Sequence, residues 1–308
     1  MRILLLYSHH RRTLNVYYKR ALVRLGHQVV SVGPWDEQQR FGTHGRTPDV
    51  MLPAAVPPWY AYEQIAAHLP WTPDLVWLLE GGEDLRVLNV PREIPFVHQS
   101  VEGSHMEWSR GITPHRYVNF TCNGFAPPDV KWLPYGFDEV EAGPYNVPTA
   151  DREYDCAQIG SARESRVLVW EHLRKATDVH CWFSGDLWGP AHFALYRNAR
   201  STFVNQTISF CCPRVFDAMG MGCLLLSDRV PAVTELFNDE EHFLGYDRVF
   251  GRDGEGIPHP DWILDIVRRC RREPQWAQGI ALAGRRLAWE KHTYRHRVEE
   301  VLNDVQRS

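Results

Sequence analysis

Residues 2–7 (RILLLY) are apolar without a break after Arg2, the pattern of a strand covered on both faces. The period then changes. Leu14, Tyr17, Tyr18, Ala21, Leu22 and Leu25 fall on one helical stripe, and Gly26 follows as a C-cap. Residues 28–32 (QVVSV) return to strand character. Strand, helix and strand in that order predict parallel pairing through a right-handed crossover. Further short strands are predicted at 74–79 (DLVWLL), 94–98 (IPFVH), 117–121 (YVNFT) and 130–133 (VKWL), with Pro-rich loops around 53–58 and 113–114.

Pro127, Pro128, Pro134, Pro144 and Pro148, with Gly136 and Gly143 among them, follow no period, and this region is predicted to be a linker. Past it the alternation restarts. Strand 154–159, helix 163–175, strand 179–184, helix 190–199 and strand 201–205 lead to a short helix around Asp217 and an apolar run at 223–226. Helix 231–237 and strand 242–246 come next, and the end is helical at 259–272, 275–290 and 294–306. The expected fold class is α/β, with parallel sheets in two successive units, 1–148 and 149–290; a C-terminal helix at 291–308 is expected to pack back toward the first. A length of 308 residues agrees, since it exceeds what one hydrophobic core usually serves. Ligands of such sheets sit beyond the carboxyl ends of the strands, which puts the expected site in the cleft between the units.

Composition narrows the class. Hydrophobic content of 44% and charged content of 23% are those of a globular protein, and a net charge of −4 gives no bulk reason to expect nucleic acid. No apolar run approaches the ~20 residues of a membrane span, and the chain enters its first strand with no signal-peptide pattern. Seven cysteines are scattered without a C-x-x-C pair. That suits reduced thiols and a cytoplasmic protein without a zinc ribbon. His292 and His296 have the i, i+4 spacing of a zinc helix, but Thr293 stands where H-E-x-x-H needs Glu, so the pair reads as structural or interfacial.

Two stretches carry candidate chemistry. In 214–228 (RVFDAMGMGCLLLSD) a short helix presents Asp217 one turn before Gly220 and Gly222, which allow the turn into a buried strand. A carboxylate there can accept two hydrogen bonds from the vicinal diol of a ribose; alternatively Asp217 is a surface acid paired with Arg214 at i, i+3. In 155–166 (DCAQIGSARESR) a strand ends at Gly160 and a helix begins a few residues on. Its amino terminus, with Arg163 and Arg166, suits a diphosphate. Neither G-x-G-x-x-G nor a Walker A loop is present, so a dinucleotide oxidoreductase or kinase lacks its fingerprint.

Four stretches together resemble glycosyltransferases of the GT-B fold, in the CgeB-like branch of the GT4-type families: KWLPYGFDEVEAGP (131–144), YDCAQIGSARESR (154–166), RVFDAMGMGCLLLSDRVPAVTELF (214–237) and AGRRLAWEKHTYRHRVEEVL (283–302). The resemblance covers 131–308 well and the first half in architecture alone. It implies two Rossmann-like domains with parallel sheets facing a central cleft, the first on the acceptor side and the second binding the donor. It further implies transfer of a sugar from a nucleoside-diphosphate sugar, without metal or other cofactor. Asp217 stands where the family usually has Glu and is the implied ribose ligand. Arg166 matches the basic residue on the diphosphate, with Arg163 as a second candidate, Gly160 as the close-approach backbone, and Asn205 and Arg214 in the same region. Eight residues before Asp217 stands Ser209, where such families commonly carry Glu, which leaves the sugar and the stereochemical course open.

An inverting reaction needs a base on the acceptor side. His98 and Glu102 are preferred, because they follow a predicted strand end and abut Gly103; His9 and His10 after the first strand are the alternatives. The acceptor (glycan, small molecule, protein or modified nucleobase) is not legible. A nucleotide-sugar epimerase and a non-catalytic binding relative remain as competing readings.

Overall fold

The structure, a computed structural model, describes all residues except 9–12, 35–47, 54, 56, 81–84, 102–105, 144–147, 186, 207–209, 248 and 251–255. It divides into two compact units, Met1–Pro134 with Tyr294–Ser308, and Tyr135–Thr293.

The first unit carries strands β1 (Arg2–Leu6), β2 (Gln28–Pro34), β3 (Val50–Leu52), β4 (Trp59–Ala61), β5 (Leu75–Glu80), β6 (Arg86–Leu88), β7 (Phe96–Ser100), β8 (His115–Val118) and β9 (Lys131–Trp132). Its sheet runs β3-β2-β1-β5-β7-β8-β9, and every pairing is parallel. The unbroken apolar run of β1 is explained by cover on both sides. Leu4 and Leu6 join a core with Val76, Leu78, Tyr60, Tyr62 and Ile65. Tyr17, Tyr18, Ala21 and Leu22 are the buried residues of helix α1 (Asn15–Arg24). β4 and β6 pair separately; the first is followed by helix α2 (Tyr62–Ala66). Tyr60 and Tyr62 are therefore core residues, while Trp59 is exposed under the Arg86 guanidinium, 4.5 Å from the ring centroid.

The second unit carries helix α3 (Glu139–Ala142), strand β10 (Tyr154–Ile159), α4 (Glu164–Lys175), β11 (Cys181–Ser184), α5 (Pro190–Asn198), β12 (Ala199–Val204), α6 (Pro213–Gly220), β13 (Leu224–Asp228), α7 (Pro231–Thr234) and β14 (Leu244–Tyr246). A small antiparallel pair, β15 (Val249–Phe250) and β16 (Gly256–Ile257), precedes α8 (Pro260–Arg272) and α9 (Pro274–Lys291). The sheet order is β11-β10-β12-β13-β14, again all parallel. Cys156, Phe203, Leu224 and Leu226 pack against Val169, Leu173, Ile263, Val267, Ala277 and Ile280 of the helices. All seven cysteines are free thiols.

The predicted linker is partly structured, and the unit boundary lies at Pro134/Tyr135, not at 148/149. Asp138 N-caps α3, accepting from the amides of Val140 (2.7 Å) and Glu141 (3.1 Å). Phe137 is fully buried against Trp289, with ring centroids 5.2 Å apart. Tyr135, Asp138 and Ala142 are buried as well, and the Phe137 amide donates to the His292 carbonyl at 3.1 Å, so the segment is tied to a core despite its prolines. The last helix, α10 (Tyr294–Arg307), belongs to the first unit. Its Tyr294 ring meets Tyr17 at 5.3 Å and Tyr18 at 5.0 Å. His292 ends the previous helix and packs on Phe216 and Phe237, so His292 and His296 do not share a helix and the zinc-helix spacing has no meaning here.

Asp304 fastens α10 to the sheet edge. It accepts from Lys131 Nζ (2.6 Å), from the Tyr117 hydroxyl and from His115 Nδ1 (3.4 Å). Burial opposes its charge, yet these donors outweigh burial and hold its pKa down to about 2. A depressed carboxylate stabilises the fold above its unfolded value, about 4, and that stability is lost as pH falls toward 2. Near-ultraviolet circular dichroism during acid titration is expected to show loosening of the first unit in that window, absent in Asp304→Asn. A second prediction concerns α9. A Cβ on Gly284 would run into the backbone carbonyl of His242 and lie 3.1 Å from Met219 Cε. Alanine gains up to about 1 kcal/mol in a helix interior. Overpacking against immobile backbone costs about 1–3 kcal/mol. Gly284→Ala is therefore expected to lower the thermal midpoint.

Candidate functional site

In the second sheet β10 has β11 on one side and β12 on the other, so the order reverses between β10 and β12. The carboxyl ends of strands at such a switch point open a crevice, because the following loops leave in opposite directions. Gly160 follows β10 there and Asn205 follows β12.

Gly160 has φ +149°, and a side chain on it would strike Arg214 Nη1 and come within 2.9 Å of Arg166 Nη1. Two guanidinium groups thus lie against a bare stretch of backbone. Arg214, in the first turn of α6, donates from Nη1 to the carbonyl of Ile159 at 2.6 Å. Arg166, in the first turn of α4, is buried; its Nε donates to Asn205 Oδ1 (2.8 Å) and its Nη1 to the carbonyl and hydroxyl of Ser161 (both 3.2 Å). Asn205 in turn donates to Ser165 Oγ at 3.2 Å, closing a network that joins β12 to α4. Arg163 lies exposed at the N-cap of α4. The helix amino terminus adds a partial charge of roughly +0.5. Cationic donors, helix dipole and a bare backbone in one place suit a polyanion such as a diphosphate.

Asp217 lies on α6 and is 6% exposed, so it is not the surface acid of the competing reading. Its partner is His192 of α5, with Nε2 3.0 Å from Oδ2, and not Arg214, which acts on it through charge alone. Burial raises the Asp217 pKa and outweighs the lowering by His192 and Arg214. A second carboxylate, Asp228 at the end of β13, is fully buried and accepts the Gln206 amide on both oxygens at 3.1 Å. The Gln206 side chain accepts the amide of Cys212 at 3.0 Å, which ties the two ends of the loop entering α6.

Gly160, Arg166, Asn205 and Arg214 are thus brought together around one network, and Asp217 lies one turn along α6 from Arg214. Ser209, His9, His10 and Glu102 lie outside the described residues. His98 is corrected: it is the middle residue of β7, not one that follows a strand end, and it is fully buried. Its Nδ1 pairs with Ser109 Oγ at 2.8 Å, and its ring lies 4.9 Å from that of Trp108. The error has a simple source. The predicted strand stopped at His98 because His98, Gln99 and Ser100 are all polar, but the strand continues through Ser100 with every residue buried. His192, Gln206 and Asp228 went unnoticed in the sequence because their partners lie 25, 6 and 22 residues away. No local period signals such pairs.

A carboxylate whose folded pKa is raised contributes its full share of stability below the unfolded value and loses it as pH rises through the folded one. The thermal midpoint of the native protein relative to Asp217→Asn is therefore expected to fall from about pH 4 upward and then level off. Parallel melts of both proteins across pH test this; a difference that does not change with pH would remove the burial cost.

Comparison with known proteins bears on the whole arrangement. The structure is similar to sucrose-phosphate synthase from Thermosynechococcus elongatus (TM-score 0.62, 12% identity, 100% of this chain and 98% of that one). It is similar to HepE of Anabaena, solved with UDP-glucose (TM-score 0.62, 9% identity, 99% and 100%). It is also similar to the catalytic domain of starch synthase IV from Arabidopsis thaliana, solved with ADP and acarbose (TM-score 0.64, 8% identity, 100% and 100%). At such identities the likeness establishes the fold, which is GT-B with two Rossmann-like units. No curated protein matches in sequence. No helix among the described residues is long and apolar enough to cross a membrane. The family model described as "Glycosyl transferase-like" matches residues 148–303, which is more than half of the chain, the whole of the Arg166–Asp217 site included; the chain belongs to that glycosyltransferase family.

Proposed function

We propose that the protein transfers a glycosyl group from a nucleoside-diphosphate sugar to an acceptor, without a resident metal or other cofactor. The observation that carries this is the pair of guanidiniums, Arg166 and Arg214, held against the bare backbone of Gly160 at the switch point of the sheet. In the reaction the bond between the anomeric carbon and the distal phosphate oxygen breaks, and the nucleoside diphosphate leaves with both electrons. The acceptor's nucleophilic atom forms the new bond, and its proton passes to a base or to the departing phosphate. Charge accumulates on the diphosphate as the bond breaks. Arg166 and Arg214 meet that charge, with Arg163 and the α4 amino terminus as further donors. Each charge-assisted hydrogen bond is worth about 1.5–3 kcal/mol. Fixed positive charge of this kind supplies what a divalent ion supplies elsewhere.

Asp217 takes the ribose hydroxyls in this reading, and the family resemblance gives Ser209, which lies outside the described residues, the position next to the transferred sugar. The complexes of the structural neighbours, with UDP-glucose and with ADP, support a nucleotide-sugar donor. The block at 214–237 supports the CgeB-like branch, and seven free thiols support a cytoplasmic setting. The acceptor stays unidentified; glycan, small molecule, protein and modified nucleobase all fit.

A thermal-shift screen with UDP-, GDP-, ADP-, CDP- and dTDP-sugars tests the reading. At 100 times its dissociation constant a donor stabilises by about 2.7 kcal/mol, a shift of several degrees. One nucleotide family is expected to shift the native protein, and Asp217→Ala is expected to lose the response. Absence of any shift with all five would overturn the donor assignment.

A further inference from the structure

We propose that His192 is a positioning residue for the donor: its ring, fixed on α5, holds one oxygen of Asp217 so that the other meets the ribose diol. The proposal rests on the reading of this unit as the nucleotide-sugar site, and goes beyond it by assigning a residue outside the four resembling stretches. His192 Nε2 and Asp217 Oδ2 are 3.0 Å apart, between helices that precede and follow β12. Against a carboxylate the nitrogen must carry the hydrogen and donate it.

The imidazole is itself held. Phe193 and Tyr196 both meet it edge-on, at 5.3 Å and 75° and at 5.0 Å and 89°. A ring so wedged cannot turn without displacing two buried aromatic side chains. It therefore imposes one rotamer on Asp217. Among the described residues, the sole hydrogen bond to the carboxylate is the one from His192, which leaves Oδ1 for a ligand.

The neighbouring Tyr196 supplies an independent observation. Its side chain is fully buried and within the electrostatic reach of both Asp217 and Arg214, yet among the described residues its hydroxyl has no hydrogen-bond partner. Buried hydroxyls are satisfied in the great majority of structures, and an orphan beside a charged pair marks a place for a ligand hydroxyl or an ordered water. The groups that act on Asp217 are thus His192 from α5, by hydrogen bond, and Arg214 from its own helix, by charge, with Tyr196 of α5 within the reach of its field. Stability alone does not account for the pair. Burial raises the Asp217 pKa against the lowering by the His192 hydrogen bond and the Arg214 charge, and a buried polar pair of this kind is weak support for stability by itself.

The test compares ribose with dideoxyribose. Binding of UDP, GDP and ADP, and of the 2′,3′-dideoxy counterpart of whichever binds, is measured by calorimetry on native protein, His192→Leu, His192→Gln and Asp217→Ala. Native protein is expected to prefer the ribonucleotide by about 10-fold or more. His192→Leu is expected to lose most of that preference while its affinity for the dideoxy form changes by less than about two-fold. His192→Gln, which keeps an N–H donor, is expected to restore part of it. A merely structural role would weaken both nucleotides alike, so the ratio, and not the affinity, is the readout. If the preference disappears in Asp217→Ala but persists in His192→Leu, the positioning role is overturned and the donor site stands. If native protein binds both forms equally, the ribose role of Asp217 and that of His192 fall together. If it binds no nucleoside diphosphate, the functional reading falls as well.

Discussion

The absence of a side chain at Gly160 is the constraint on which the site depends. Two guanidiniums occupy the volume a Cβ would take, one tied to the carbonyl of Ile159 and the other to Asn205 and Ser161. The space is small because three elements converge there: the end of β10, the first turn of α4 and the first turn of α6. Backbone at φ +149° and crowding by cations favour glycine for separate reasons, one conformational and one steric. The charges could not be brought this close to a side chain, and an anion could not reach the backbone past one.

Around that point the buried charges are each answered by fixed polar groups. Arg152, 2% exposed, donates to the carbonyls of Tyr196, Ala199 and Met221, at the ends of α5 and α6. Asp228 binds the amide of Gln206, and Arg166 binds Asn205. A buried ion left unpaired costs several kcal/mol, so these contacts are what makes a polar crevice compatible with a packed sheet. Asp217 is the member whose burial works against its charge, and it lies within electrostatic reach of the Tyr196 side chain, whose hydroxyl has no hydrogen-bond partner among the described residues.

The position of α6 is set by close contacts of another kind. The ring of Phe137 would lie 2.7 Å from a Cβ on Gly220, and Trp289 Nε1 donates to the Gly220 carbonyl at 3.0 Å. Gly284 lets α9 approach the carbonyl of His242. Small residues at both contacts allow the helix bearing Arg214 and Asp217 to sit close to its neighbours. A rigid support of this sort matters because guanidinium and carboxylate groups recognise their ligands through geometry.

Much of the architecture could be read directly. Strands such as 154–159 and the last three helices were legible because side-chain period and burial are local properties, and an apolar run with no alternation already implies cover on both faces. Gly160, Arg166 and Asp217 stood out by residue type and spacing, with the family resemblance adding their roles. Short strands at 50–52, 59–61 and 86–88 did not stand out, since three residues are too few to show a period. The division falls at Pro134/Tyr135 and not at 148/149, and residues among the prolines, Tyr135, Phe137 and Ala142, are buried, which a count of prolines does not reveal. His98 was misread because a strand covered on both faces tolerates a polar tail once Ser109 satisfies it. The sequence by itself determined the longer strands and helices and which segments carry charge. Only the tertiary structure decided that Asp217 answers to His192 and not to Arg214, that Arg166 turns to Asn205, and that the Tyr196 hydroxyl finds no hydrogen-bond partner among the described residues, because pairing between distant segments depends on where the packed sheet brings them.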